Sequence, residues 1–179
     1  MIFSQKKFKT KGITLIEALV AISILIIGIF SGFILVTRVL SNINVIRDRL
    51  TASFLAQEGI ELVRQIRDTN YLKILSGENI LWNNGLNNGN YIISAEIGNS
   101  GPSGLIPLGQ SETPYLKYNS NTKIFNYISG ANTPFSRLIR IERLSEQEIR
   151  VQSELNWKSR SVNFKLVAED HLFNWLPIE

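Results

Sequence analysis

Glu17 is the side chain whose position asks for chemistry. It stands near the start of a long apolar run, KGITLIEALVAISILIIGIFSGFILVTRVL, from Lys11 to Leu40. A carboxylate at the centre of a bilayer costs on the order of 2.5–3.5 kcal/mol, and less toward the edge, so an offsetting charge is expected nearby. A chain end created just before Ile13 would supply a cationic amine four residues upstream, on the same helix face. The first turn of a helix also favours an anion. Such an amine can neutralise Glu17 within one subunit or pair with the Glu17 of a neighbour; the residues leave both open.

The other reactive types are sparse. The chain has no cysteine, which removes disulfides, thiolate nucleophiles and cysteine-based metal sites. Its single histidine, His171 in EDHLFNW, lacks a visible partner cluster and reads as a surface or capping residue. The adjacent acids Glu169 and Asp170 suggest acid/base work only if a second carboxylate joins them; a solvated strand end is the simpler reading. Trp82, Trp157 and Trp175 read as core or rim packing before ligand stacking. No phosphate-binding glycine loop, G-x-S-x-G or H-E-x-x-H occurs, so no enzymatic activity, metal or cofactor is expected.

The element that must position Glu17 is a helix. Between Glu17 and Arg38 no side chain is charged, a gap of about twenty residues. At about 1.5 Å per residue it spans about 30 Å, the hydrocarbon thickness of a bilayer. The preceding MIFSQKKFKTKG holds Lys6, Lys7, Lys9 and Lys11, which account for the net charge of +4 and leave the rest of the chain neutral. Basicity therefore belongs to this leader, and nucleic acid is not an expected partner. Lysines ahead of a membrane helix favour the cytoplasmic side, although Arg38, Arg47 and Arg49 beyond it weaken the asymmetry. A secretory signal peptide would have a shorter apolar region and a small-residue exit. An uncleaved signal anchor is the other plain alternative.

Gly12 followed by ITLIEALVAI resembles the leader of type IV pilins and type II secretion pseudopilins. The resemblance implies cleavage between Gly12 and Ile13 by a membrane-embedded prepilin peptidase, which then N-methylates Ile13. It implies that Glu17 is the assembly glutamate, and that the partners are this peptidase, other pilin or pseudopilin subunits and an assembly platform protein. The family's commonest residue after the cut is Phe, whereas this chain has Ile13. Gly28 and Gly32 form a GxxxG pair, a spacing that lets helices approach closely in a membrane or marks a place of local melting. Major pilins often carry a proline hereabouts; here none precedes Pro102, so no proline kink is expected.

Apolar residues at three- and four-residue steps continue beyond the run: Ile43, Ile46, Leu50 and Phe54, then Leu55, Ile60, Leu62, Val63 and Ile66. The helix is predicted from about Ile13 to Arg67, with Gly59 interrupting but not ending it and Asp68, Thr69 and Asn70 marking its stop. A short helix at Tyr71–Leu75 is a further possibility. The segment LAQEGIELVRQIRDTNYL also resembles prepilin-like proteins of the minor PilV and pseudopilin sort.

The chain beyond this helix is predicted to be β-rich. Tyr91–Ile97 reads as a strand and Asn99–Pro107 as a loop. Tyr115–Tyr118 and Lys123–Ile128 read as a hairpin. Ser136–Arg143, Glu148–Trp157 and Ser161–Ala168 read as an antiparallel meander. Ile149, Val151, Ser153, Leu155 and Trp157 share one face, which packs on the second half of the helix. The fold class is α+β and pilin-like: one long N-terminal helix on a C-terminal antiparallel sheet. The organisation is a leader (1–12), a transmembrane or filament-core helix (13–37), its amphipathic extension (38–69) and an extracytoplasmic globular domain (70–179).

The function expected is therefore structural: a minor pilin or pseudopilin, inserted once in the cytoplasmic membrane and then assembled into a filament. The rival is a membrane-tethered binding module, an adhesin or DNA-capture tip subunit, which needs surface Arg and Tyr to form a patch.

Overall fold

The computed structural model describes residues 12, 14–95, 104–109, 111–159 and 161–175. The chain divides into two units, Met1–Val45 and Ile46–Glu179. One helix, α1, runs from Leu15 to Leu75. Among the described residues seven strands come after it: β1 (Gly89–Ile92), β2 (Ile106–Pro107), β3 (Tyr115–Asn119), β4 (Ile124–Asn126), β5 (Ala131–Arg143), β6 (Glu148–Ser159) and β7 (Val162–Phe173). The architecture is α+β, a long N-terminal helix with an antiparallel sheet.

All seven strands form one sheet, with β5 at its centre. Along one side β5 pairs with β6, from Phe135 opposite Trp157 to Arg143 opposite Ile149. Its other side is shared, with β3 at one end and β1 at the other. β4 extends the sheet beyond β3, β2 beyond β1, and β7 beyond β6. The meander β5–β6–β7 is the one read from the sequence, and Ile149, Val151, Ser153, Leu155 and Trp157 are all buried on one face.

Several boundaries differ from the sequence reading. α1 does not stop at Asp68–Asn70. Thr69 bonds its hydroxyl back to Gln65 O (2.7 Å), and the buried Asn70 donates its amide to Trp82 O (3.1 Å) and Asn84 O (2.9 Å). Tertiary partners thus override weak helix propensity. The helix ends instead at Gly77, whose φ of +93° is a left-handed cap. Glu78 N–H donates to Lys73 O and Gly77 N–H to Ile74 O, closing both last-turn carbonyls. β7 continues to Phe173, which puts Glu169 and Asp170 inside a strand rather than at its end. Ile106–Pro107, read as loop, pairs with β1, and β1 itself ends at Ile92.

In the second unit, residues 46–75 of α1 lie on the sheet through Ala52, Leu55, Ala56, Ile60 and Val63, all buried. Ile46, Leu50 and Phe54 are exposed. The helix therefore packs on the sheet through two alanines as well as Leu55, Ile60 and Val63, and leaves Ile46, Leu50 and Phe54 outward. Two apolar clusters result. One gathers Ile60, Val63, Tyr71, Trp82, Leu86 and Ile141. The other gathers Leu55, Leu116, Phe135, Leu155 and Trp157. Trp82 and Trp157 are core, as read; Trp175 is exposed and rests on Tyr71, with ring centroids 4.9 Å apart.

Candidate functional site

The first turn of α1 is built around Thr14. Its Oγ1 accepts the Glu17 backbone N–H at 3.3 Å, and its carbonyl accepts the first helical bond, from Ala18 N–H at 3.1 Å. Thr14 is thus the N-cap and Glu17 the third helical residue, the T-x-x-E spacing of a capping box. That spacing was legible in the sequence and supplies a second reason for an acid at 17, independent of any amine. Glu17 is exposed and has no ion-pair partner among the described residues. Ile13, where the new amine is expected, and the four leader lysines lie outside the described residues.

Gly12 is exposed, and a Cβ built on it meets nothing within 4 Å. The same holds at Gly28 and Gly32. Nothing among the described residues requires glycine at these three positions.

The helix between them is apolar on every side. Seventeen large apolar side chains from Leu15 to Leu40 are exposed, with Leu15 at 84%. Its three hydroxyl side chains between Glu17 and Arg38 are each satisfied locally: Ser23 donates to Leu19 O (2.8 Å), Ser31 to Ile27 O (2.7 Å) and Thr37 to Ile34 O (2.9 Å). No hydroxyl is left needing water. Covering this surface contributes about 1.5–3 kcal/mol per large side chain, so a total of tens of kcal/mol drives it out of water. It is a helix long and apolar enough to cross a membrane.

In the second unit, the sequence reading missed a buried cation. Arg137 on β5 is fully buried between sheet and helix. It donates to Leu55 O (2.8 Å) and Glu58 Oε2 (3.2 Å) of α1, and to Ile93 O (2.5 Å) beyond β1. Tyr127 donates its hydroxyl to Arg137 O (3.1 Å), and burial pushes the Tyr127 phenol upward. The signal was parity: Phe135, Arg137, Ile139 and Ile141 alternate, so Arg137 shares the core face. Opposite it, the helix approaches through Gly59.

The remaining reactive groups disperse. Glu169 and Asp170 point to opposite faces: Asp170 pairs with Arg64 of α1 (2.8 Å), and Glu169 accepts from Gln152 (2.5 Å). His171 holds Glu148 Oε1 at 2.6 Å and Glu169 Oε1 at 3.4 Å, and the hydrogen bond to Glu148 leads in raising its pKa. Among the described residues no cluster of His and acids is arranged to hold a metal ion. Arg140 and Arg150 are engaged with Glu154 and Glu142 across strands. Comparisons of the chain with protein-family models, with curated proteins and with solved structures return no match.

Proposed function

We propose that this chain is a structural minor subunit, a pilin or pseudopilin, of a type IV pilus or type II secretion-like filament. A prepilin peptidase cuts it between Gly12 and Ile13 and methylates Ile13. The subunit waits in the cytoplasmic membrane as a single-pass protein, leader inside and β-rich unit outside. It then joins the filament through residues 13–37.

The observation that carries this reading is the bare helix between Glu17 and Arg38, apolar on all sides and without a free hydroxyl. Lipid covers such a surface first; the equivalent helices of neighbouring subunits cover it afterwards with no loss of apolar contact. Glu17 supports the same sequence of events. Within the assembly its carboxylate meets a terminal amine, and one buried polar pair fixes axial register where apolar packing alone would slide. The open surroundings of Gly12 are also in keeping with a scissile bond presented to an enzyme.

Mass spectrometry of the chain from its native membrane and from sheared filaments tests this. The expected product lacks residues 1–12, begins at N-methylated Ile13 and is present in the filament fraction. An intact Met1 terminus, or absence from filaments, overturns it.

A further inference from the structure

The sheet face turned away from α1 carries a recess at one end of β5–β6–β7, of about 250 Å³. Its lining is mixed: Trp157 and Phe164, which reach it from the α1-facing side, stand beside polar side chains that the strand register brings together. Ser136 lies beside Asn156, and Asn163 beside Lys158, on adjoining strands. Taller residues rim it: Tyr115, which pairs with Ser136 from β3, and Pro134. Tyr115 is 63% exposed, so its ring is an open flat surface.

Much of the hydrogen-bonding capacity here is open. Asn156 donates one amide hydrogen to Glu154 Oε1 (3.0 Å), which leaves its Oδ1 open. Ser136 reaches only the Asn156 carbonyl, at 3.4 Å. The side chains of Asn163, Lys158 and Tyr115 have no hydrogen-bonding partner among the described residues. Lys165 nearby is held by Glu154 (2.9 Å), so Lys158 is the cation that faces the recess unpaired among the described residues.

We propose that this recess binds a single sugar ring, with preference for one carrying a carboxylate. Two amides and a hydroxyl match the paired donors and acceptors of vicinal sugar hydroxyls. Tyr115 offers its face to the apolar side of the ring. Lys158 supplies the charge that selects an acidic sugar over a neutral one. The recess has room for one sugar ring. The site stands on the β-sheet alone and does not depend on the filament reading.

Saturation-transfer NMR on the full chain, in micelles of a sugar-free zwitterionic detergent, tests it with glucuronate and glucose as probes. Saturable binding of glucuronate is expected with a Kd of about 1 mM, the scale reached by a small polar ligand, with glucose weaker. Tyr115→Ala and Asn163→Ala, both at exposed positions, are expected to weaken glucuronate at least tenfold while circular dichroism is unchanged. Lys158→Gln is expected to bring the two probes to equal affinity. No saturable binding of either probe, or binding that survives both Tyr115→Ala and Asn163→Ala, overturns the proposal.

Discussion

Gly59 of α1 and Ser153 of β6 touch so closely that a Cβ on Gly59 would lie 2.6 Å from Ser153 Oγ and 2.8 Å from Ile139 Cδ1. The helix contributes no side chain here, and those of Ser153, Ile139 and Arg137 fill the gap from the sheet. Alanine at 59 gains about 1 kcal/mol of helix propensity, but overpacking a filled core costs about 1–3 kcal/mol. Gly59→Ala is therefore expected to lower stability modestly, and Gly59→Val, which adds more bulk for a smaller propensity gain, by more than about 2 kcal/mol. Thermal melts of the full chain in micelles measure both. A raised Tm for Gly59→Val would show that the helix can lift away freely.

Arg137 crosses the same interface. Its guanidinium serves two carbonyls and Glu58 at once, from a fully buried position. Removing one partner of a buried pair costs about 3–5 kcal/mol, since the other groups are left desolvated. Arg137→Ala is expected near that range. Arg137→Lys should recover little, because one ammonium cannot reproduce the planar fork. Urea titration gives the values, and a full rescue by lysine would reduce Arg137 to a point charge.

Thr14→Ala and Glu17→Gln separate the two roles of the first turn. Thr14→Ala removes the N-cap and costs about 1 kcal/mol of helix start, leaving the carboxylate in place. Glu17→Gln keeps the capping-box type but removes the charge. If charge pairing with an amine governs assembly, the glutamine variant is processed normally yet is lost from sheared filaments, while the alanine variant is still incorporated. The opposite pattern would assign position 17 to helix capping alone. Immunoblots of membrane and filament fractions read both outcomes.

His171 is the chain's single histidine, so its ring protons give one unambiguous titration. Its folded pKa is raised, with the Glu148 hydrogen bond as the leading favourable contact and Glu169 adding to it. A raised folded value means the histidine stabilises the fold fully at pH below its unfolded pKa. That contribution disappears as pH climbs through the folded pKa. The melting temperature is expected to fall slightly across this window, and His171→Gln to flatten the slope. NMR showing an unshifted or lowered titration midpoint would contradict the Glu148 contact.

Much of this architecture was legible because the strongest patterns lie where one environment acts on a whole stretch. Lipid-like surroundings demand an unbroken apolar run, and a half-buried strand demands strict alternation, so α1's first half and the faces of β6 could be read directly. The misreadings fall where a single distant contact decides. Asn70 stays helical because Trp82 and Asn84 carbonyls take its amide. Phe54 is exposed while Ala52 and Ala56 are buried, because close approach at Gly59 favours small residues and a search for large apolar ones overlooks them. Arg137 sat in plain view on the core parity of β5, but only the carbonyls of Leu55 and Ile93 explain why a cation is tolerated there. At the first turn of α1, Thr14 as the cap of Glu17 was present in the T-x-x-E spacing, which the search for a charge partner overlooks.

Gly28 and Gly32 give the sharpest contrast between folding and assembly. Neither has any atom within 4 Å of where a Cβ would sit, so the chain itself has room for larger residues at both. Helix propensity rises by about 1 kcal/mol for each glycine replaced by alanine. The double variant Gly28→Ala, Gly32→Ala is thus expected to insert, fold and melt like the parent or slightly better. Gly28→Leu with Gly32→Leu should do the same, since the added bulk projects into the surroundings. If a neighbouring helix packs on this face, small residues are what allow the backbones to approach, and the leucine pair is lost from sheared filaments while the alanine pair is reduced far less. Normal incorporation of the leucine pair would place the helix contacts on another face of residues 13–37 and leave the GxxxG spacing without a role.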